Sequence, residues 1–306
     1  MNAVLYIPTF NAGKRWPAVV AAINEQHTLP YKKVIIDSGS TDQTLSLPSL
    51  SDYEIIRIPK HTFDHGGTRQ YAVQQFPDAD LYIFLTQDAI LANRYALHHL
   101  IRVFENDPTI GCAYGRQLPH QGARVLEAHA RLFSYPAHMQ LRNMDNARQY
   151  GIQAASCSNS FAAYRRTAFE EVGGFPNGTI LGEDVIAAGQ ILLHGWQLAY
   201  VADAQVYHSH NYSIIEEFRR YFDIGVFHAT HPWIFTHFGR AGGNGLRYVR
   251  SVCAYVLKRA PWLLPKTLFS IMAKWLGYAL GLRYRHLSPR WCRSFSMHSG
   301  FWKRKS

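Results

Sequence analysis

The chain is 306 residues long and 47% hydrophobic, with 32 Lys+Arg against 21 Asp+Glu for a formal charge of +11. That length fits two ordinary domains or one large α/β domain with an appendage, and its apolar content supports a sizeable core, which excludes a disordered or low-complexity chain. The charge is uneven: residues 211–306 hold 16 Lys+Arg and only Glu216, Glu217 and Asp223, a net of +13, while residues 1–210 hold 16 bases against 18 acids, a net of −2.

Residues 4–7 form a short apolar run that stops at Pro8-Thr9-Phe10-Asn11, a strand ending in a loop. Trp16, Val19, Val20 and Ile23 then recur at helical spacing. Residues 34–36 and 55–58 read as strands, the first ending in Asp37-Ser38-Gly39-Ser40-Thr41-Asp42. Residues 66–76 read as a helix, 81–85 as a strand stopping at Thr86-Gln87-Asp88, 94–104 as a helix and 110–114 as a strand. Residues 115–155 are less regular and suggest a partly helical insertion. After it, 158–164 predicts a strand and 167–172 a short helix stopped by Gly173-Gly174. Residues 183–194 predict a helix with Gly195 as its stop, and 205–207 a strand leading into His208-Ser209-His210. Such alternation predicts an α/β fold, a mostly parallel sheet with helices on both faces. In sheets of this kind ligands bind outside the carboxyl ends of the strands. Beyond residue 211 the composition predicts mainly helices.

No run of 18 uncharged apolar residues occurs, since Lys274 interrupts the nearest one at 267–282, so no membrane span is expected. The first eight residues lack a basic start and a long apolar stretch, so no secretory signal is expected. Cys112, Cys157, Cys253 and Cys292 stand far apart and read as reduced packing residues in a cytosolic setting.

Five places could carry chemistry, each with a plainer reading beside it. The Asp37–Asp42 loop could accept from a nucleobase, or Ser40 or Thr41 could simply cap the next helix. Asp88 could hold a divalent cation through oxygen, or be a turn residue. Gly66-Gly67-Thr68-Arg69 could turn backbone N–H groups and a guanidinium to a phosphate, or be a capped helix start. Gly182-Glu183-Asp184 could aim a general base into a cleft, or complement a helix dipole. His208 and His210 share a face of a strand or its end, as metal ligands or as structural residues.

Taken in order, Pro8-Thr9-Phe10-Asn11, Asp37-Ser38-Gly39-Ser40-Thr41-Asp42, Arg69, Gln87-Asp88, Gly173-Gly174-Phe175, Glu183-Asp184 and a final His resemble a family 2 glycosyltransferase of the GT-A fold, over roughly residues 3–212. Phe63-Asp64-His65-Gly66-Gly67-Thr68-Arg69 with Leu85-Thr86-Gln87-Asp88-Ala89 is most similar to the rhamnosyltransferase branch, which builds bacterial O-antigen and related surface polysaccharides. The resemblance implies a catalytic domain at 1–212, a Rossmann-like mixed sheet flanked by helices, followed by a basic, mainly helical region at 213–306. It implies an inverting transfer of one sugar at a time, L-rhamnose from dTDP-L-rhamnose or another hexose from a UDP- or dTDP-sugar. The acceptor would be a glycan or a polyprenyl-diphosphate-linked glycan. Thr9, Asn11, Asp37, Arg69 and Gln87 would bind the nucleotide sugar, Asp184 would be the catalytic base, and Asp88 with His208 or His210 would bind Mg²⁺ or Mn²⁺. Thr86 stands where the family's D-x-D element has its first Asp, so fewer charges would hold the cation. No Q-x-x-R-W follows, which argues against a processive synthase.

In the last third, Leu246, Val249, Cys253 and Val256 line one face of a basic helix, and apolar 261–282 carries Trp262, Trp275 and Tyr278 ahead of Arg283, Arg285, Arg290, Arg293, Lys303, Arg304 and Lys305. Apolar faces with aromatics and many bases suit an anionic membrane surface. This predicts a cytoplasmic enzyme held peripherally at the inner face of the plasma membrane. The plainer reading is a helical subdomain with solvated charges. A nucleotidyltransferase would need a glycine-rich basic loop where Pro8-Thr9-Phe10-Asn11-Ala12-Gly13 has one Gly. A third reading is a non-catalytic basic protein that binds lipid head groups or nucleic acid through 211–306; no recognition pattern supports the latter, so no nucleic-acid partner is expected.

Overall fold

A computed structural model describes residues 1–239 and 243–303, leaving Arg304 and Lys305 of the basic tail outside the described residues. The strands are β1 (Ala3–Thr9), β2 (Lys32–Asp37), β3 (Glu54–Arg57), β4 (Leu81–Leu85), β5 (Ile90–Leu91), β6 (Ile110–Leu118), β7 (Gln140–Arg142), β8 (Phe161–Arg165) and β9 (Gln197–Tyr207). They form one mixed sheet in the order β3-β2-β1-β4-β8-β6-β9-β5, with β7 paired to β9. Strands β1 to β4 pair in parallel, and β8 runs antiparallel to both β4 and β6. Two reversals restore direction, so β6 and its parallel neighbour β9 point the same way as β1. The carboxyl ends of β1, β2, β4, β6 and β9 therefore share one edge of the sheet with the amino end of β8.

The strands are apolar because both faces are covered. Alternation along β1 sends Ala3, Leu5 and Ile7 into one core layer and Val4 and Tyr6 into the other. The first layer is closed by α1 (Trp16–Asn24), through Trp16, Val19, Val20 and Ile23, and later by a second helix (Ala96–Asn106). The opposite layer is closed by α2 (His65–Gln74), so that the helix at Ala96–Asn106 is α3. The insertion holds α4 (Val125–Ser134), β7 and the single-turn α5 (Ala147–Tyr150). α6 (Arg166–Glu171) and α7 (Glu183–Leu193) complete the second layer.

The eleven-residue β9 is longer than the expected strand at 205–207. Its register against β6 jumps between Gly115, which faces Val201, and Arg116, which faces Gln205. The extra residues on β9 bend the strand and interrupt its polar alternation, which hides its first half from a periodicity reading. Residues 115–118, expected within an irregular insertion, are the end of β6.

The last third is helical as expected: α8 (Ile214–Thr230), α9 (Trp233–Phe238), α10 (Asn244–Arg259), α11 (Leu264–Leu282), α12 (Pro289–Phe295) and α13 (Ser299–Lys303). α8 and α11 pack almost backbone to backbone. Gly277 and Gly281 lie against the Phe218 and Phe222 carbonyls, and Gly225 against Tyr278, leaving no room for a Cβ. Phe222, Val226, Phe227, Ile234, Phe238, Cys292 and Phe301 belong to the same core layer as Tyr6 and Phe84. The core therefore runs straight across the boundary expected at 212/213. α10 offers only part of the expected apolar side to solvent: Leu246 stays exposed, while Val249 and Cys253 are half-buried. Val252 and Val256 are buried, and the buried His129 on α4 bonds Ser251 (2.9 Å) and packs on the Tyr248 and Tyr255 rings.

Candidate active site

The loops after β1 and β2 are stapled to each other. Asn11 is the single non-glycine at positive φ (45°) among the described residues, a conformation Asn tolerates. Its N–H donates to the Ser40 Oγ (2.9 Å) and its side-chain oxygen accepts from the Thr41 N–H (2.8 Å). The Asp37 carboxylate is fully engaged. It accepts from the Gly39 and Ser40 N–H groups (3.0 and 2.9 Å), the Ser40 hydroxyl (2.5 Å) and the Thr9 hydroxyl (3.3 Å). Four donors match the capacity of a carboxylate. Neither Ser40 nor Thr41 caps the following turn; Asp42 does, accepting from the Thr44 N–H (3.0 Å). Gln87 donates to the Phe10 carbonyl (3.2 Å) and accepts from the Phe10 N–H (2.8 Å). Thr9, Asn11, Asp37 and Gln87 thus meet at one edge, where their side chains hold the loops after β1 and β2 together. Lys60, which the sequence did not single out, is the exposed cation here, its Nζ 4.2 Å from the Phe10 ring centroid.

Arg69 also departs from the expectation that it faces a base or diphosphate. The start of α2 is the plain capped helix: Asp64 accepts from the Gly67 N–H (2.9 Å), and Gly66 and Gly67 are pressed against Pro176 and Asn177. One turn on, the buried Arg69 side chain donates to the His65 carbonyl (2.7 Å) and pairs with Glu183 (3.2 Å) at the start of α7. The helix direction carries the guanidinium inward, to the neighbouring helix and not to the loop.

Glu183 and Asp184 occupy the first turn of α7, after Gly182 in the left-handed region (φ 80°). Asp184 accepts from the Asn159 N–H (3.1 Å) and from the Val185 N–H (2.8 Å). Burial and then the adjacent Glu183 charge push its carboxyl up to about 7, against those two hydrogen bonds and Arg69. Glu183 is held the other way. Burial would raise it, but Arg69, His65 and the Asn159 amide (3.1 Å) outweigh that and keep it low. Two neighbouring acids are thus driven apart, one ionised and one poised near neutrality, an arrangement suited to general-base work.

Asp88, His208 and His210 converge as the strand ends predicted: one ligand atom from each lies within 4.8 Å of the others. His208 Nε2 is 3.5 Å from Asp88 Oδ1 and His210 Nδ1 is 3.7 Å from Oδ2. Burial would raise the Asp88 carboxyl, but the His208 bond, the two imidazoles and Thr86 hold it well below the usual range. Burial, reinforced by His208, lowers His210 to about 4, leaving it a neutral donor. The other His208 nitrogen is 3.0 Å from the Gln117 side-chain oxygen, which fixes the ring with Nε2 toward Asp88. Gln117 in turn accepts from Arg131 (2.5 Å) and donates to the Ser158 hydroxyl (2.8 Å), next to the Asn159 that holds Asp184. A chain of contacts therefore joins the Asp88 cluster to Asp184. Gln117, Ser158 and Asn159 carry no motif. One carboxylate and two imidazoles around a common point fit a divalent cation, and the mixed N/O set suits Mn²⁺ better than the oxygen-loving Mg²⁺.

A family model described as "Glycosyltransferase like family 2" matches residues 2–222. The chain is 48% identical over 303 residues (99% of this chain, 96% of the other) to the O-antigen chain rhamnosyltransferase RfbN of Salmonella typhimurium. It is 45% identical over 299 residues (97% and 95%) to the O-antigen chain rhamnosyltransferase WbaN of Salmonella anatum. In fold it resembles the mannosyltransferase PcManGT from Pyrobaculum calidifontis, solved with GDP-Man and Mn²⁺, at TM-score 0.55 and 18% identity over 99% of this chain and 86% of that one. It also resembles S. aureus TarS 1–349 in complex with UDP-GlcNAc, at TM-score 0.54 and 16% identity over 93% and 92%.

Proposed function

Because this chain belongs to glycosyltransferase family 2, we propose that it moves L-rhamnose from dTDP-L-rhamnose to a glycan or polyprenyl-diphosphate-linked acceptor in O-antigen assembly. The names of its two near-full-length relatives support the sugar and the pathway. The residues support the chemistry, and the observation that carries it is the linkage of Asp184 to the Asp88 cluster through Gln117, Ser158 and Asn159 at one sheet edge.

The reaction needs a proton removed from a weakly nucleophilic hydroxyl while a nucleoside diphosphate leaves. Asp184 accepts the acceptor's hydroxyl proton as that oxygen bonds the anomeric carbon and the carbon–phosphate oxygen bond breaks on the opposite face, so the centre inverts. A base whose pKa is near the working pH is the most effective compromise between availability and strength. The Asn159 and Val185 N–H groups fix which way the carboxylate points. Asp88, His208 and His210 would hold Mn²⁺, which when bound supplies positive charge to the departing diphosphate. The stapled loops after β1 and β2, with Lys60 at their rim, offer the nucleoside a preformed floor. Among the described residues no helix is long and apolar enough to cross a membrane. We place the enzyme in the cytoplasm, where its nucleotide sugar is made, against the inner face of the plasma membrane.

A panel of dTDP-, UDP- and GDP-sugars, assayed for nucleoside diphosphate release onto a lipid-linked acceptor with Mn²⁺ or EDTA, tests this. Turnover of dTDP-L-rhamnose alone is expected. Preference for a UDP-hexose would replace rhamnose, and no turnover of any donor would overturn the activity.

Glu183→Gln tests the paired-acid arrangement. Removing that charge, and freeing Arg69 to act on Asp184, lowers the Asp184 pKa, so the acid limb of the kcat/KM profile moves to lower pH with a lower plateau. A purely structural Glu183 would change stability and leave the limb in place.

A further inference from the structure

We propose that the outward face of α11, with Trp262 in the turn before it, is the seat by which this enzyme lies on an anionic lipid bilayer. The proposal deepens the reading above, since a polyprenyl-linked acceptor resides in such a bilayer. It also shifts the weight of the membrane contact from α10, where Val252 and Val256 are buried while Leu246 and Leu257 stay exposed, to α11.

α11 has two unlike faces. Thr267, Ser270, Lys274, Gly277 and Gly281 recur at helical spacing and turn inward, where Ser270 bonds Glu217, Lys274 pairs with Glu217 (3.1 Å) and the glycines meet the α8 backbone. On the opposite side Leu268, Phe269, Met272, Trp275 and Leu276 stand at i, i+1, i+4, i+7 and i+8, all exposed. Trp262 and Trp275 are the extreme cases, 74% and 67% exposed. A soluble surface has no use for five large apolar side chains in one stripe, and Trp favours the boundary between lipid and water.

The charge around the stripe selects the partner. Lys258 and Arg259 precede it, Arg283 and Arg285 follow it, and all four are exposed. No Asp or Glu occurs after Asp223. A second copy of this chain would bring the same positive rim against its own, whereas anionic headgroups neutralise it. At about 1.5 Å per residue the 19-residue helix is long enough to lie along a headgroup layer. Its inner face is fixed to α8, so it lies on the surface and does not enter.

The test is co-sedimentation of the full chain with vesicles of phosphatidylcholine alone or mixed with phosphatidylglycerol, at low and high salt. Wild type is expected to sediment with the mixed vesicles and to be weakened by salt. Phe269→Glu with Trp275→Glu is expected to weaken vesicle binding by about tenfold or more, while thermal melting and the shift on adding dTDP-L-rhamnose stay unchanged. If the double variant does not fold, Trp262→Glu in the exposed turn takes its place. Wild type that ignores anionic vesicles, or variants that bind as well as wild type, would overturn the proposal. So would a wild-type dimer that the same substitutions turn into monomer. A failed donor panel with intact vesicle binding would sink the rhamnosyl reading and leave this one standing.

Discussion

Asp184→Asn is expected to lower the rate of transfer by about 10²–10⁴-fold or more, with nucleotide-sugar binding nearly unchanged. The amide preserves shape and its one oxygen can still accept from either the Asn159 or the Val185 N–H, but it cannot take a proton. Single-turnover rates and a separate binding titration distinguish the two effects; near-normal turnover would remove Asp184 from the reaction. The same residue sets the pH dependence of the wild type. Its active form is the carboxylate, and with the pKa pushed up to about 7 that form is lost as pH falls through that value. Activity should therefore decline on the acid side near neutrality, well above the range of an ordinary aspartate.

The second large effect is expected at Asp88. Asp88→Ala removes the single carboxylate from a cluster whose other members are imidazoles, leaving no negative charge to hold a divalent cation. With Thr86 in place of a second acid nothing nearby compensates. Transfer should fall by about 10²–10³-fold, and Mn²⁺ affinity, followed by calorimetry on the protein with dTDP, should fall with it. Gln117→Ala should weaken Mn²⁺ binding by a smaller factor, about tenfold, because at the cluster it frees the His208 ring while the Asp88 carboxylate stays in place. Unchanged Mn²⁺ affinity in Asp88→Ala would place the cation elsewhere.

Sequence carried the strand ends well. Thr9, Asp37, Asp88 and His208 each follow an apolar run, and runs of that kind are locally encoded, so their convergence at one edge was legible before any coordinates. What stayed hidden depends on non-local geometry. Asn159 matters because β8 inserts antiparallel between β4 and β6, which brings its amino end beside α7. Gln117 matters because the bulge in β9 lets β6 run on to meet His208. Neither pairing leaves a local period to read. The pairing of Arg69 with Glu183 was hidden for a related reason: the paired glycines make room for the loop at Pro176 and Asn177, which no local pattern records. In the last third, amphipathicity marked α10 and α11 alike. Only packing separates a stripe that is partly covered, as on α10, from one that is not.

Gly182, which turns the chain into α7, sits so close to Phe227 of α8 that a Cβ there would lie 2.7 Å from the ring. α8 also presses its own backbone on α11 through Gly225, Gly277 and Gly281. The helix is thus gripped on both sides, by the segment that presents the base and by the outermost helix. Genes that exchange segments by recombination could not place a breakpoint between the sheet and the helices that follow it without pairing strangers at these contacts. The sheet and its helical third are expected to be inherited together, in keeping with relatives that align over nearly their whole length.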